Sequence, residues 1–111
     1  MMPNTKALLR FALEAIQRIE SYIQGLSYDK FSLDRMRQDA VIFRLEILGR
    51  ILTELLRELE NEGSVQAIAR YEHLCREIGQ DYRSVNLQSV WDTVTMELAR
   101  LREQLLALQL E

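Results

Sequence analysis

One cysteine, one proline and four glycines in 111 residues leave this chain little with which to staple, kink or turn itself. A single cysteine excludes an internal disulfide and any multi-cysteine metal site, and it fits a reducing compartment. So few turn residues exclude a many-stranded sandwich or barrel, which needs a turn signal every 8–12 residues or so. No apolar run approaches the roughly 20 residues of a membrane span. The N-terminal MMPNTKALLR lacks the apolar stretch and small-residue cleavage site of a secretion signal, so a soluble cytoplasmic protein is expected. An excess of basic residues is missing too. Fourteen Lys and Arg stand against seventeen Asp and Glu, a net charge of −3, which is not the electrostatic footprint of a general nucleic-acid binder. Between Arg70 and Arg83, three arginines (Arg70, Arg76, Arg83) face three acids (Glu72, Glu77, Asp81), a locally neutral surface.

What the chain has in quantity is leucine, isoleucine, arginine, glutamate and glutamine, a composition that favours helices. At this length residues 1–111 make one domain with a single core. Asn4 or Thr5 can cap a first helix with Leu8, Phe11 or Ala12, Ala15, Ile19 and Tyr22 or Ile23 on one face, ended by Gly25. After a link over residues 26–31, a long helix is predicted from about Ser32 to Glu60, with Ser32 or Asp34 as its cap. Val41, Leu45, Leu48, Leu52, Leu55 and Leu59 form its seam; Ile42 and Leu56 widen that seam on one side, and Ala40, Ile47 and Ile51 on the other. Glu46, Arg50, Thr53 and Arg57 occupy the narrow polar strip, and Gly49 near the edge of the arc can admit another helix closely. ENEGS, Glu60 to Ser64, reads as a stop and a cap. A third helix from Ser64 carries Val65, Ile68, Tyr71 or Glu72, Cys75 and Ile78, and Gly79 is read as ending or loosening it. Residues 80–85 are read as a link, and Asn86 caps a last helix with Leu87, Val90 or Trp91, Val94, Leu98, Leu101, Leu105 and Leu108 on one seam. The expected fold is all-α, an antiparallel four-helix bundle. The wide arc of the long helix and the leucines continuing through Leu105, Leu106, Leu108 and Leu110 leave apolar surface to spare, so a homodimer is expected.

The stretch Leu74 to Trp91, LCREIGQDYRSVNLQSVW, gathers the cysteine, two arginines, a tyrosine and the only tryptophan. It resembles the signature segment of the HepT-like proteins of the HEPN superfamily, in which a helix ends in R-x-x-x-x-H-x-Y and V-W follows about nine residues past the tyrosine. Tyr82, Val85, Leu87, Val90 and Trp91 fall in that register, placing the arginine position at Cys75 and the histidine position at Gln80. Upstream, FSLDRMRQDAVIFRLEILGRI, Phe31 to Ile51, resembles the family's second helix, R-x-x-A-V-x-R-R-L-E-I-I-G-E-A. Here the glycine is followed by Arg50 rather than glutamate.

The resemblance implies descent from a metal-independent RNA endonuclease that uses no cofactor and builds its cleft at a dimer interface. In such an enzyme a histidine moves protons at the 2′-hydroxyl and the leaving oxygen while an arginine fork holds the phosphate. Gln80 cannot exchange a proton near neutral pH, so RNA cleavage is expected to be weak or absent. Arg76 is the candidate for a remaining phosphate contact, although one residue of slip turns a side chain by about 100° on a regular helix; the simpler reading is an ion-paired surface arginine. His73 and Cys75 point apart at i,i+2, which makes no nucleophile–base pair, and Cys75 reads as a packing residue. The resemblance also implies a partner, a minimal nucleotidyltransferase antitoxin that modifies the motif tyrosine, here Tyr82, with AMP. Tyr82 is equally readable as an aromatic anchoring the link, and is expected to be exposed. Two functions therefore stand: the toxin side of a HEPN and nucleotidyltransferase pair with a degenerate motif, or a non-catalytic helical scaffold. Any RNA contact is expected to be weak, and none with a membrane is expected.

Overall fold

The computed structural model describes residues 3–80 and 84–109. In chain order these form α1 (Pro3–Ile23), α2 (Tyr28–Leu33), α3 (Arg35–Glu58), α4 (Glu62–Gln80), α5 (Leu87–Asp92), a π-helical turn (Thr93–Glu97) and α6 (Leu98–Gln109). There is no strand among the described residues, and no helix is long and apolar enough to cross a membrane.

The core follows the helical periodicity of the sequence. Leu8, Ala12, Ala15 and Ile19 of α1, Val41, Leu45, Leu48, Leu52 and Leu55 of α3, Ile68 and Cys75 of α4, and Val90, Leu98, Leu101 and Leu105 of the last helical stretch are buried together. Each large aliphatic side chain so enclosed contributes about 1.5–3 kcal/mol relative to exposure. On α1 the buried partner at the ambiguous position is Ala12, whereas Phe11 is exposed.

Contacts between the helices fix an up-and-down bundle. Asn4 near the start of α1 meets Glu58 at the end of α3, and the carbonyl of Tyr22 near the end of α1 accepts from Arg37 near the start of α3 at 2.8 Å. Thr53 of α3 pairs with Glu72 of α4 while Glu46 packs on Gly79, so these two also run antiparallel. Arg70 of α4 reaches Glu97 at 2.9 Å. Arg102 of α6 pairs with Glu20 of α1, which closes the ring of four.

The sequence reading differs from the structure at three junctions. Residues 28–33, expected mostly as link, form the short helix α2. Ser27 caps it, accepting from the Lys30 N–H at 3.2 Å, and buried Phe31 anchors it, its ring centroid 5.2 Å from that of Trp91. Tyr28 meets the same tryptophan edge-on at 6.1 Å, so half-buried Trp91 is a core-side residue holding α2 on α5. Asp34, not Ser32, then caps α3 by accepting from the Arg37 N–H at 3.0 Å. At the start of α4, Asn61 accepts from Ser64 N–H at 3.0 Å, so the helix begins before Ser64. Gly79 lies inside α4 rather than ending it. Asn86 caps α5 as expected, accepting from Ser89 N–H at 3.1 Å. The last helix is interrupted by the π turn, where Thr93 and Thr95 donate their hydroxyls back to the carbonyls of Ser89 and Trp91 at 2.8 and 2.6 Å. Such back-bonding competes with the regular helical ladder.

Candidate functional site

The motif positions lie along the seam between α3 and α4, and two glycines set how close those helices come. A Cβ on Gly49 would stand 3.2 Å from Cys75 Cβ and 3.4 Å from Arg76 Cγ. A Cβ on Gly79 would stand 3.1 Å from Glu46 Cγ. Gly49 therefore admits α4 as its place in the apolar arc suggested. Gly79 does the same from the other side, and this close approach, not a helix stop, is the reason for a glycine there.

Cys75 occupies the resulting enclosure at 1% exposure. Burial, with the nearby Glu72 charge adding to it, pushes its thiol up to about 12, so the sulfur is protonated and inert at neutral pH. One residue on, Arg76 emerges at the outer side of the seam, its side chain just over half exposed. Its guanidinium lies 3.5 Å from Glu72 Oε2, a long pairing. Glu72 is itself buried and held by the Thr53 hydroxyl at 2.8 Å, a hydroxyl that also lies 2.9 Å from the Gly49 carbonyl. Gln80, at the C-terminal end of α4, is exposed. Because α4 is regular through Gln80, Arg76 and Gln80 share its outer face without any bulge. His73 sits on the same outer side, 3.2 Å from Glu77 and exposed, far in angle from Cys75 as expected. Tyr82, with Asp81 and Arg83, lies outside the described residues.

Across the seam, Arg50 and Glu46 form the anticipated i,i+4 pair at 2.8 Å. Arg50 follows Gly49 directly, so Arg50 and Arg76 flank the saddle that the glycine makes. Beyond the end of α4 the same groove continues as an open cleft of about 420 Å³, walled by the Arg35–Glu46 part of α3 on one side and by Val85 and Leu87 on the other. Phe43, 56% exposed, stands at its rim. Sequence reasoning did not single out this cleft. Its one sequence signal is Phe43, an aromatic ring on the angular sector of α3 that otherwise carries Glu46 and Arg50. No group of acidic, histidine or cysteine side chains able to hold a metal ion occurs among the described residues.

Comparison with known proteins matches residues 12–108 to the family model described as "Ribonuclease HepT-like". The chain belongs to the HepT-like ribonuclease family. Two relatives come from Methanocaldococcus jannaschii. One, named "Gamma-glutamylcyclotransferase and putative RNase", is 28% identical over all of this chain, which spans 50% of that protein's length. The other, named "Putative RNase", is 25% identical over 82% of this chain and 75% of its own length. A further "Putative RNase", from Caldanaerobacter subterraneus subsp. tengcongensis, is 22% identical over 93% of this chain and 92% of its own. No solved structure matches. Of the two positions that the resemblance assigns to the motif's arginine and histidine, Cys75 is a buried thiol and Gln80 an exposed amide.

Proposed function

We propose that this HepT-like protein descends from an RNA endonuclease and now holds RNA with little or no cutting, as the toxin-side member of a pair with a minimal nucleotidyltransferase. The observation that carries this is the state of the two chemical positions. Cys75 is enclosed and neutral, and Gln80, although exposed, has no proton to exchange. Losing a general acid–base costs about 10²- to 10⁴-fold in rate. The surface that a phosphate would meet is still present in Arg76, Gln80 and the neighbouring Arg50. The RNase part of the relatives' names belongs with the shared stretch, since this chain spans 92% and 75% of two relatives named for RNase alone.

Two measurements test the reading. Incubated with cellular RNA, the purified protein is expected to give no cleavage above buffer. Strong cleavage that disappears in Arg76→Ala would overturn the loss of chemistry. Mixed with ATP and a minimal nucleotidyltransferase, the protein is expected to form a stable complex and to gain the mass of one adenylate on Tyr82.

A second reading, a scaffold with no tie to RNA or AMP, is favoured by one observation: Arg50 and Arg76 each already have a carboxylate partner. It would be the better account if neither RNA nor a nucleotidyltransferase bound.

A further inference from the structure

We infer that the cleft beyond the end of α4 is a base-reading subsite for single-stranded RNA, shaped for guanine. This rests on the RNA-holding reading above and adds to it a specificity that the motif itself does not supply.

The position comes first. The cleft shares Glu46 with the α3/α4 seam, and its Phe43 rim lies two turns of α3, about 10 Å, from Arg50. One nucleotide with its phosphate on the Arg50 and Arg76 side of the saddle can therefore lay its base in the cleft. The walls suit a base. Ile42, Phe43 and Leu87 present apolar and aromatic surface, the material on which unpaired RNA bases stack. The Arg44 guanidinium lies 5.8 Å from the Phe43 ring centroid and helps to fix that ring.

The polar groups then choose among bases. Gln38 is nearly buried, and donation from its Nε2 to the Phe31 carbonyl at 2.9 Å fixes its carboxamide in the wall of the cleft. Exposed Asp39 offers a carboxylate and exposed Arg35 a guanidinium, and both line the cleft. A carboxylate, which can accept two hydrogen bonds at once, together with a guanidinium donor matches an edge with two adjacent donors and one acceptor. Guanine has that edge in N1–H, the N2 amino group and O6. Uracil presents two carbonyl oxygens around a single N–H and leaves a carboxylate facing an oxygen, which is costly in a partly desolvated site.

The test is fluorescence anisotropy of the intact protein with labelled pentanucleotides, UUGUU against UUUUU, at low and physiological salt. The guanine strand is expected to bind about tenfold or more tightly than the all-uracil strand. Phe43→Ala is expected to weaken both strands by about tenfold. Asp39→Ala is expected to bring the two strands to equal affinity, by weakening the guanine strand and relieving the clash of the carboxylate with uracil. Phe43 and Asp39 are both exposed, so these variants keep the fold, which thermal unfolding verifies. Equal affinity of the wild-type protein for the two strands, or binding unaffected by Phe43→Ala, would overturn the subsite while leaving the RNA reading in place. Absence of binding by every strand would overturn the RNA reading itself, and the subsite with it.

Discussion

The proposed loss of chemistry rests most on Cys75, where the resemblance assigns an arginine. An arginine here would have to leave a site where a single methyl on the facing glycine already meets Cys75 Cβ at 3.2 Å. Forcing that volume into the seam costs about 1–3 kcal/mol or more. Restoring Cys75→Arg with Gln80→His is thus expected to lower the thermal midpoint even if some cutting returns, whereas Gln80→His alone, on an exposed position, is expected to shift stability by less than about 0.5 kcal/mol. The thiol gives a cleaner prediction. It is buried with its proton affinity raised to about 12, so a colourless-to-yellow disulfide reagent at pH 8 should find no reactive sulfur in the native protein and one per chain after denaturation. The same shift has a pH sign. The unfolded thiol ionises near pH 8.5 or so while the folded one stays protonated, so from there upward the unfolded chain binds fewer protons and stability falls. Unfolding free energy measured between pH 8 and 10.5 should therefore drop more steeply for the wild type than for Cys75→Ala. Equal slopes would mean that the thiol is not enclosed.

At the scale of elements, the α3/α4 pair depends on two missing side chains. Alanine normally favours a helix over glycine by about 1 kcal/mol. At Gly49 the added Cβ would press on Cys75 Cβ, which is fixed to its own backbone, and approach the Arg76 nitrogen at 3.5 Å. Gly49→Ala is therefore expected to destabilise by about 1 kcal/mol despite its propensity gain, and calorimetry showing a raised midpoint would contradict the close approach. Much of this arrangement was readable in the sequence. Apolar residues at three- and four-residue steps marked the seams of α1, α3 and the last helix, and Gly49 announced a close neighbour. What was hidden depended on partners distant in the chain. Gly79 read as a stop because a glycine late in a helix usually is one, and only contact with Glu46 reveals it as a packing residue. The helix α2 has six residues, too few for a periodic signal. The cleft joins residues 35–46 to residues 85 and 87, a meeting that no local pattern encodes.

For the whole molecule, the question is what covers the apolar surface that one bundle leaves over. The last helix turns out to use most of its leucines internally. Leu105 and Leu108 are buried and only Leu106 among them is exposed in the described part. The surplus is on α2 and α3, where Leu33 and Met36 are 87% and 79% exposed. Aliphatic and thioether side chains so open to water contribute nothing to the monomer's folding, and a patch of them is the signature of a covered surface. A second copy meeting this one across Leu33 and Met36 in a two-fold arrangement would cover each patch with its equivalent and place two clefts near a common axis. Light scattering at tens of micromolar is accordingly expected to give about twice the 13.1 kDa chain mass. Met36→Glu, which puts like charges face to face across such an axis, should return a monomer whose thermal unfolding remains cooperative because position 36 does not contact the core. A wild-type monomer at that concentration, or a dimer indifferent to Met36→Glu, would move the interface elsewhere.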